Sequence, residues 1–347
     1  MGVLRRLWAP LLLIILSVTV ALALVEVGLR LSGWRPAFQE TERVVPGTPR
    51  PLGSRTLHIH TVIRHRTGEF DVTYRSNAVG YFDREWSIAP PPGGLRLAFL
   101  GDSFTMGHGV AAESTFVRLL EAPLAARWDR DVETMNFGLW GSGTRQELES
   151  VPDVLTFSPN LVCLCVYIND VFDNTKHASP DAASPTPAEP ATSAQRIGRA
   201  LRRWVRQSPF RVVAFVSERT RNLRGALGLI DFDLERVFRG QADPLIEETA
   251  SLINQMAARL RERDIPLVVI YLPARIQLRE DAPRGFDPER PNRILADRIE
   301  GATWCDLTDD FRSTDARDLW FAEGHFTPRG HRFVAERLAE RLPDRFR

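Results

Sequence analysis

Lysine is almost absent from this sequence. Lys176 is the only lysine, and arginine supplies the other basic side chains. Schiff-base chemistry uses a lysine amine, and phosphate-binding P-loops end in a lysine, so the composition disfavours both classes. The basic and acidic side chains are also nearly equal in number, so the formal net charge is only +1. The chain therefore lacks the overall basic field that is typical of nucleic-acid-binding proteins, and no nucleic-acid partner is predicted.

Cysteine is also scarce, with three residues in the whole chain. Three cysteines do not make a disulfide framework, and their positions lack the spacing of a metal site. Cys163 and Cys165 alternate within one apolar run, so we expect both side chains to face the same way as buried thiols. The sequence predicts neither a metal nor an organic cofactor.

The longest run without charge lies near the N-terminus. Residues 7–25 contain no charged side chain, and Arg5 and Arg6 precede them. As a helix this run is about 28 Å long, close to the thickness of the bilayer hydrocarbon. Arginines keep their end of such a helix in the cytoplasm. We therefore predict a signal anchor over residues 1–29, in a single-pass inner-membrane protein whose remainder is periplasmic or otherwise extracytoplasmic.

Two other interpretations of this run stay open. Ala21 and Ala23 flank a leucine and resemble the small-residue cleavage site of a secretory signal peptide. The run can also be a buried helix of a cytosolic protein.

The remainder divides into a lead-in segment at 30–94 and a domain at 95–347. Residues 89–94 are proline and glycine, after one alanine, and mark the entrance to the domain. Residues 69–75 alternate and predict an edge strand in the lead-in. In the domain, five apolar strands alternate with helices, which indicates a doubly wound parallel sheet. The predicted strands are 95–100, 132–137, 160–167, 265–272 and 303–307, and the predicted helices are 113–127, 144–157, 244–263 and 328–341.

An insertion at about 174–242 interrupts this alternation. Residues 178–193 are rich in proline, alanine and serine, as in flexible linkers. Residues 196–224 are basic with apolar residues interleaved. Such a stretch can be a helix packed on the domain with solvated arginines, which we favour, or a helix on an anionic membrane surface.

The most informative motif follows the first strand of the domain. Gly101, Asp102 and Ser103 come directly after the apolar run 95–100. Open α/β sheets place their ligand sites at the carboxyl ends of their strands. Ser103 is therefore a candidate nucleophile, whereas we interpret Asp102, like Asp170, as a residue that bonds the local backbone.

A serine nucleophile needs a base, which is typically a histidine oriented by a carboxylate. His325 lies after the last predicted strand and before the last helix, at the same sheet edge as Ser103. Glu323, two residues earlier, can orient its ring. We interpret His331 as a structural residue at the start of the closing helix.

Acyl transfer also needs donors for a developing oxyanion. The backbone N–H of Ser103 is one candidate. Gly141 follows the second strand, and its N–H can approach a substrate closely because no Cβ intrudes. Asn169 follows the third strand and offers a side-chain amide.

Four sequence blocks in this order resemble the SGNH hydrolases, also called the GDSL esterase/lipase family. The blocks are GDSFTMGHGV, NFGLWGSGT, VYINDVFDN and EGHFTPRGH. The resemblance covers about 70% of the chain. It implies a flavodoxin-like three-layer α/β/α sandwich with a five-stranded parallel sheet. It also implies Ser103 as nucleophile, His325 as base, and Ser103, Gly141 and Asn169 as the oxyanion hole.

One position departs from the family pattern. The family commonly has aspartate three residues before the histidine, where this chain has Ala322. Some members resembling polysaccharide O-acetyltransferases use Asp-x-His instead, and Glu323 fills that position. Asp318 is the other nearby carboxylate. A Ser–His pair held by a backbone carbonyl is the third alternative.

The resemblance and the predicted location together favour a membrane-anchored serine esterase that cleaves an ester bond, with an O-acylated envelope glycan or another small ester as the expected substrate class. An O-acetyltransferase on an envelope or exported polysaccharide is the first alternative, because the same residues serve a sugar acceptor. A non-catalytic binding module on the same fold is the second. A lipase acting at the membrane is the third, motivated by the basic segment 196–224. The oligomeric state is left open.

Overall fold

The computed structural model describes residues 2–34, 40–176, 208–226, 232–279, 284–316 and 318–344. The chain divides into two compact units. The smaller unit contains residues 1–39, 67–69 and 183–231, and the larger contains residues 40–66, 70–182 and 232–347.

The described residues form ten strands and thirteen α-helices, with two short 3-10 turns at Ala112–Ser114 and Arg275–Leu278. The strands are β1 Glu40–Val45, β2 Thr48–Leu52, β3 Arg55–Ile59, β4 Val62–Arg66, β5 Asp71–Arg75, β6 Leu95–Gly101, β7 Val132–Asn136, β8 Leu161–Tyr167, β9 Leu267–Leu272 and β10 Thr303–Asp306. The helices are α1 Gly2–Leu31, α2 Ser103–Met106, α3 Phe116–Leu119, α4 Glu121–Trp128, α5 Thr144–Glu149, α6 Val151–Thr156, α7 Asp170–Lys176, α8 Arg211–Ala226, α9 Phe232–Phe238, α10 Asp243–Arg261, α11 Arg290–Arg298, α12 Thr308–Arg312 and α13 Pro328–Arg341.

A five-stranded parallel sheet forms the centre of the larger unit. Its strand order is β10-β9-β8-β6-β7, and every neighbouring pair is parallel. Every residue of β6, β8 and β9 is buried, because helices cover both faces of such a sheet and strands in it become continuous apolar runs. The predicted α/β fold with five parallel strands is thus confirmed. The strand order reverses at β6, and the carboxyl ends of β6 and β8 flank the crevice where such sheets bind ligands.

Two groups of helices form the outer layers of the sandwich. Helices α3, α4 and α13 contact one another, and α3 and α4 also contact β7. In the second group α10 contacts α5, α7 and α11, and α5 also contacts α7. The apolar stripe of α10 lies in the core, with Ile246, Ile253 and Leu260 fully buried. The predicted helices at 244–263 and 328–341 correspond to α10 and α13.

Two predicted helices are each broken into shorter elements. The prediction at 113–127 becomes a 3-10 turn followed by α3 and α4, and the prediction at 144–157 becomes α5 and α6. Pro123 lies in the first turn of α4 and Pro152 in the first turn of α6. Proline has no N–H to continue a preceding helix but fits a first turn, so each proline starts a new helix.

The lead-in segment is a small β structure of its own. Strands β1, β4 and β5 form an antiparallel sheet in the order β1-β4-β5, and β2 pairs with β3 as a hairpin. β5 lies at the edge, as the alternation at 69–75 predicts. The other four strands are short and include arginine, proline and histidine. Their alternation of apolar and polar residues is therefore too weak to predict them from the sequence.

Part of the predicted insertion at 174–242 belongs to the core of the larger unit. Val237 and Phe238 of α9 are fully buried and join the main hydrophobic core. The predicted linker at 178–193 and residues 196–207 of the basic stretch lie outside the described residues.

In the smaller unit, α1 is long and apolar enough over Leu12–Leu31 to span a membrane. The described part of the basic stretch, α8, contacts α1. The Glu26 carboxylate accepts the N–H of Val212 at 2.8 Å, and Arg211 donates to the carbonyls of Leu29 and Trp34. Within this unit the described part of the basic stretch is therefore a helix packed on α1.

A buried arginine ties the lead-in segment to the parallel sheet. Arg96 of β6 is fully buried, and its guanidinium bonds the Glu133 carboxylate at 2.7 Å. It also donates to the carbonyls of Phe157 and of residues 87–89. A guanidinium has five N–H donors in a rigid fork, so one side chain satisfies acceptors from three chain segments.

We predict that Arg96→Met lowers the free energy of unfolding by about 3 kcal/mol, because the half-buried Glu133 carboxylate loses its ion-pair partner and the Phe157 carbonyl loses a buried donor. Urea unfolding of the detergent-solubilised full chain, followed by tryptophan fluorescence, measures this. Arg298→Met is the matched control. Its ion pair with Glu247 is exposed, so its loss costs less than about 1 kcal/mol. Equal midpoints for both variants would contradict the prediction.

Candidate active site

Ser103 lies at the point where β6 meets a short helix. The side chain of Asp102 accepts the N–H of Phe104 at 2.8 Å and caps α2. A capping aspartate of this kind fixes the first turn of a helix, so the Ser103 side chain is held at the carboxyl edge of the sheet. Ser103 is 8% exposed.

Three side chains from distant parts of the sequence, Ser103, His325 and Glu323, contact one another in series. Ser103 Oγ lies 2.8 Å from His325 Nε2. His325 Nδ1 lies 2.6 Å from Glu323 Oε2. A carboxylate at Nδ1 favours the tautomer with its proton on Nδ1, which leaves the Nε2 lone pair facing the serine hydroxyl. This is the geometry in which a histidine can take a proton from a serine.

Asp318, the alternative partner for the histidine, points elsewhere. Its carboxylate pairs with Arg329 at 3.1 Å, and its side chain is 78% exposed. Thr327 donates its hydroxyl to the Asp318 carbonyl at 2.6 Å, so the backbone of this residue helps cap α13. Among these two carboxylates, Glu323 is the one in contact with His325.

Asn169 lies beside the carboxylate of Asp102. Its Nδ2 donates to Asp102 Oδ2 at 3.0 Å and reaches Asp173 Oδ2 at 3.4 Å. The second of these contacts is long and weak, so a ligand oxygen would compete with Asp173 for that amide hydrogen. Asp170, the next residue, accepts the N–H of Tyr167 and so bonds the local backbone, as Asp102 does.

Gly141 lies in a tight turn at the end of the loop that follows β7. Its φ of +62° is left-handed, and a Cβ at this position would meet no described heavy atom within 4 Å. Arg55 of β3 holds both flanks of Gly141, since it bonds the Trp140 carbonyl at 2.5 Å and Ser142 Oγ at 2.6 Å. No pattern in the sequence links Arg55 to this turn.

Aromatic and histidine rings pack next to Ser103, His325 and Glu323. The rings of Phe104 and His108 lie on either side of His325, with centroids at 4.8 and 4.2 Å. His65 of β4 packs edge-on against His108 at 4.8 Å, and Phe70 contacts Phe321 at 5.1 Å. Rings from the lead-in segment thus contribute to the site, a role that no sequence motif predicts.

Burial controls the charge of two groups near the site. Burial raises the pKa of Asp102 to about 6, against the opposing hydrogen bonds from Phe104 and Asn169. Burial lowers the pKa of His331 to about 3. His331 Nδ1 accepts the N–H of Phe116 at 3.2 Å, so this neutral histidine joins the closing helix to α3.

Opposing effects act on the pKa of Glu323. Burial opposes it, but the hydrogen bond and charge of His325, with a smaller contribution from His108, hold the pKa of Glu323 below its ordinary value. Glu323 is therefore a carboxylate at neutral pH.

His108, Glu323 and His325 also bring potential metal ligands within 4.8 Å of one another. Trp140 Nε1 donates to His108 Nδ1 at 2.8 Å, which leaves the proton of the neutral ring on Nε2. A metal ligand must offer a lone pair, so the atom of His108 that faces Glu323 does not fit a metal in this arrangement.

The parallel sheet, its carboxyl-edge serine and the adjoining histidine and glutamate define a class of protein. The class is that of hydrolases acting on ester bonds. A model of the GDSL-like lipase/acylhydrolase family matches residues 99–333, about two thirds of the chain, and the chain belongs to this family. General esterase or acylhydrolase activity follows from that membership.

Several solved structures are similar to this chain. TesA is 15% identical, with 70% of this chain and 95% of that chain covered and a TM-score of 0.42. The acetyl xylan esterase AlAXEase is 18% identical, with 72% and 100% covered and a TM-score of 0.43. AlinE4, an SGNH-hydrolase family esterase, is 17% identical, with 72% and 97% covered and a TM-score of 0.37. A search of curated proteins finds no match.

We predict that Glu323→Gln slows the reaction of Ser103 with a fluorophosphonate probe by about 10²-fold, because the amide no longer stabilises the imidazolium. Asp318→Asn is the matched control and changes the rate by less than about twofold, since its ion pair is exposed. Rates are measured on the full chain by gel fluorescence. A loss in Asp318→Asn with none in Glu323→Gln would assign the orienting role to Asp318.

Proposed function

We propose that this chain is a membrane-anchored serine esterase in which Ser103 is the nucleophile and His325 the general base. The observation that carries the proposal is the unbroken line of contacts from Ser103 Oγ through the His325 ring to Glu323. A serine hydroxyl becomes a useful nucleophile when a neighbouring base removes its proton, and here the base is itself oriented by an ionised carboxylate.

The reaction proceeds in two acyl transfers. Ser103 Oγ attacks the ester carbonyl carbon while its proton passes to His325 Nε2. The tetrahedral intermediate collapses as the bond to the alcohol oxygen breaks and His325 returns the proton to that oxygen. Water then attacks the acyl-serine ester, with the same histidine as base, and releases the acid. Glu323 stabilises the imidazolium in both halves.

The oxyanion hole we propose consists of the Ser103 N–H, the Gly141 N–H and the Asn169 amide. The open space beside Gly141 supports its part, because no described heavy atom lies within 4 Å of where a Cβ would be, so a substrate can approach the backbone there. The hydrogen bond from Asn169 to Asp102 supports the part of Asn169, since it fixes the amide plane before any substrate binds. Donors fixed in advance cost no reorganisation in the transition state.

The substrate class we propose is a small O-acyl ester on an envelope glycan. Ser103 is 8% exposed, and the rings of Phe104 and His108 pack against its partner His325; this confined setting favours a short acyl group over a long chain. We also propose that α1 anchors the chain in the inner membrane and that the larger unit faces the periplasm. The apolar span and the arginines before it support this arrangement.

We predict that Ser103→Ala lowers hydrolysis of p-nitrophenyl acetate by at least about 10³-fold, because the nucleophile is removed. The same variant loses fluorophosphonate labelling. Ser114→Ala, which removes a hydroxyl from the following loop, is the matched control and stays within about twofold of wild type. The detergent-solubilised full chain is assayed.

Three outcomes would change the proposal. Unchanged turnover in Ser103→Ala would reject Ser103 as nucleophile. Absence of labelling in folded wild type would favour a binding module. Transfer of the acyl group to an added oligosaccharide, with little free acid formed, would make the protein an O-acyltransferase.

A further inference from the structure

A second histidine lies against the carboxylate that orients His325. His108 Nε2 is 3.9 Å from Glu323 Oε1, and the His108 ring packs on the His325 ring at 4.2 Å with a tilt of 34°. Apart from His325, His108 is the one basic side chain among the described residues that comes within 4 Å of this carboxylate.

The tautomer of His108 is set by its other neighbour. Trp140 Nε1 can only donate, and it lies 2.8 Å from His108 Nδ1. A ring nitrogen that accepts a hydrogen bond carries no proton, so the proton of the neutral ring is on Nε2. The N–H of His108 thus belongs to the nitrogen that faces Glu323.

The carboxylate of Glu323 needs such a donor. Its Oε2 bonds His325, whereas its Oε1 is buried and has no hydrogen-bond partner within the described part of the chain. A buried carboxylate oxygen without a donor is costly. At 3.9 Å the His108 N–H is too far for a full hydrogen bond, but Nε2 is the ring nitrogen nearest this oxygen, and hydrogen bonds in empty active sites commonly shorten when the reaction begins.

His108 stays neutral in this position. Burial, aided by the nearby His325, lowers its pKa to about 3, although Glu323 opposes the shift. A neutral ring does not repel the imidazolium that forms on His325. Its backbone is fixed as well, because the N–H of the next residue, Gly109, donates to the Tyr74 hydroxyl at 2.7 Å.

We propose that His108 is a positioning residue for the proposed serine esterase reaction. Its Nε2–H holds Oε1 of Glu323, so that Oε2 stays aligned on His325 Nδ1, and Trp140 keeps the required tautomer. This inference rests on the proposed function, since it acts through Glu323 on His325 and thence on Ser103.

A double-mutant cycle tests whether His108 acts through Glu323. The readout is the second-order rate of Ser103 labelling by a fluorophosphonate probe on the full chain, which needs no known substrate. We expect His108→Phe, which keeps a ring but has no N–H, to slow labelling by about tenfold in wild type and by less than about twofold in a Glu323→Gln background. We expect His108→Gln, which restores an amide N–H, to recover most of the rate.

Phe82→Leu is the matched packing control. It removes a ring that contacts Trp140 at 5.1 Å and leaves the Trp140–His108 hydrogen bond in place, so we expect a change of less than about twofold. Circular dichroism confirms that each variant is folded.

The outcomes separate the two proposals. No labelling of wild type, or equal labelling of Ser103→Ala, defeats the proposed function and this inference with it. Normal, Ser103-dependent labelling that His108→Phe leaves unchanged overturns only the role of His108. The same factor of loss in both backgrounds also overturns it, because His108 then acts independently of Glu323.

Discussion

The hydrogen bond between Ser103 and His325 joins side chains that are 222 positions apart in the sequence, and the rest of the structure serves that contact. Both residues follow elements of one parallel sheet, whose strands all present their carboxyl ends at the same edge. The sheet needs both faces covered, so the helices that bury it also fix where each strand ends. A shift of one strand by a single residue would turn its side chains to the opposite face and break the alignment.

The sequence predicts those parts of the fold and site that depend on local pattern. The buried strands read as continuous apolar runs, and Ser103 and Asn169 each come within two residues of the end of such a run. The breaks in the two predicted helices are harder to predict from the sequence. A single proline starts a new helix even where the apolar residues keep a continuous helical spacing. The sequence does not predict that Arg55 holds the turn at Gly141. Its partners Trp140 and Ser142 are distant in the chain and come close only when β3 has paired and the lead-in segment has folded.

The choice between Glu323 and Asp318 illustrates the same limit at smaller scale. Both carboxylates stand within a few residues of His325 in the chain, and composition cannot separate them. The turn from residue 321 to residue 325 does so, since Phe321 donates its N–H to the His325 carbonyl at 2.8 Å and Gly324 donates to the Phe321 carbonyl at 3.0 Å. This turn places the Glu323 carboxylate against the His325 ring, whereas Asp318 lies outside the turn and pairs with Arg329.

The three cysteines have a practical consequence for the study of this protein. All are buried and unpaired. Burial raises the pKa of the Cys305 thiol to about 11 and that of the other two thiols as well. Since only the thiolate reacts readily with alkylating reagents, the folded chain behaves towards maleimides as though it had no cysteine. A single cysteine introduced on the surface would therefore carry a fluorophore or spin label alone, without removal of the native residues.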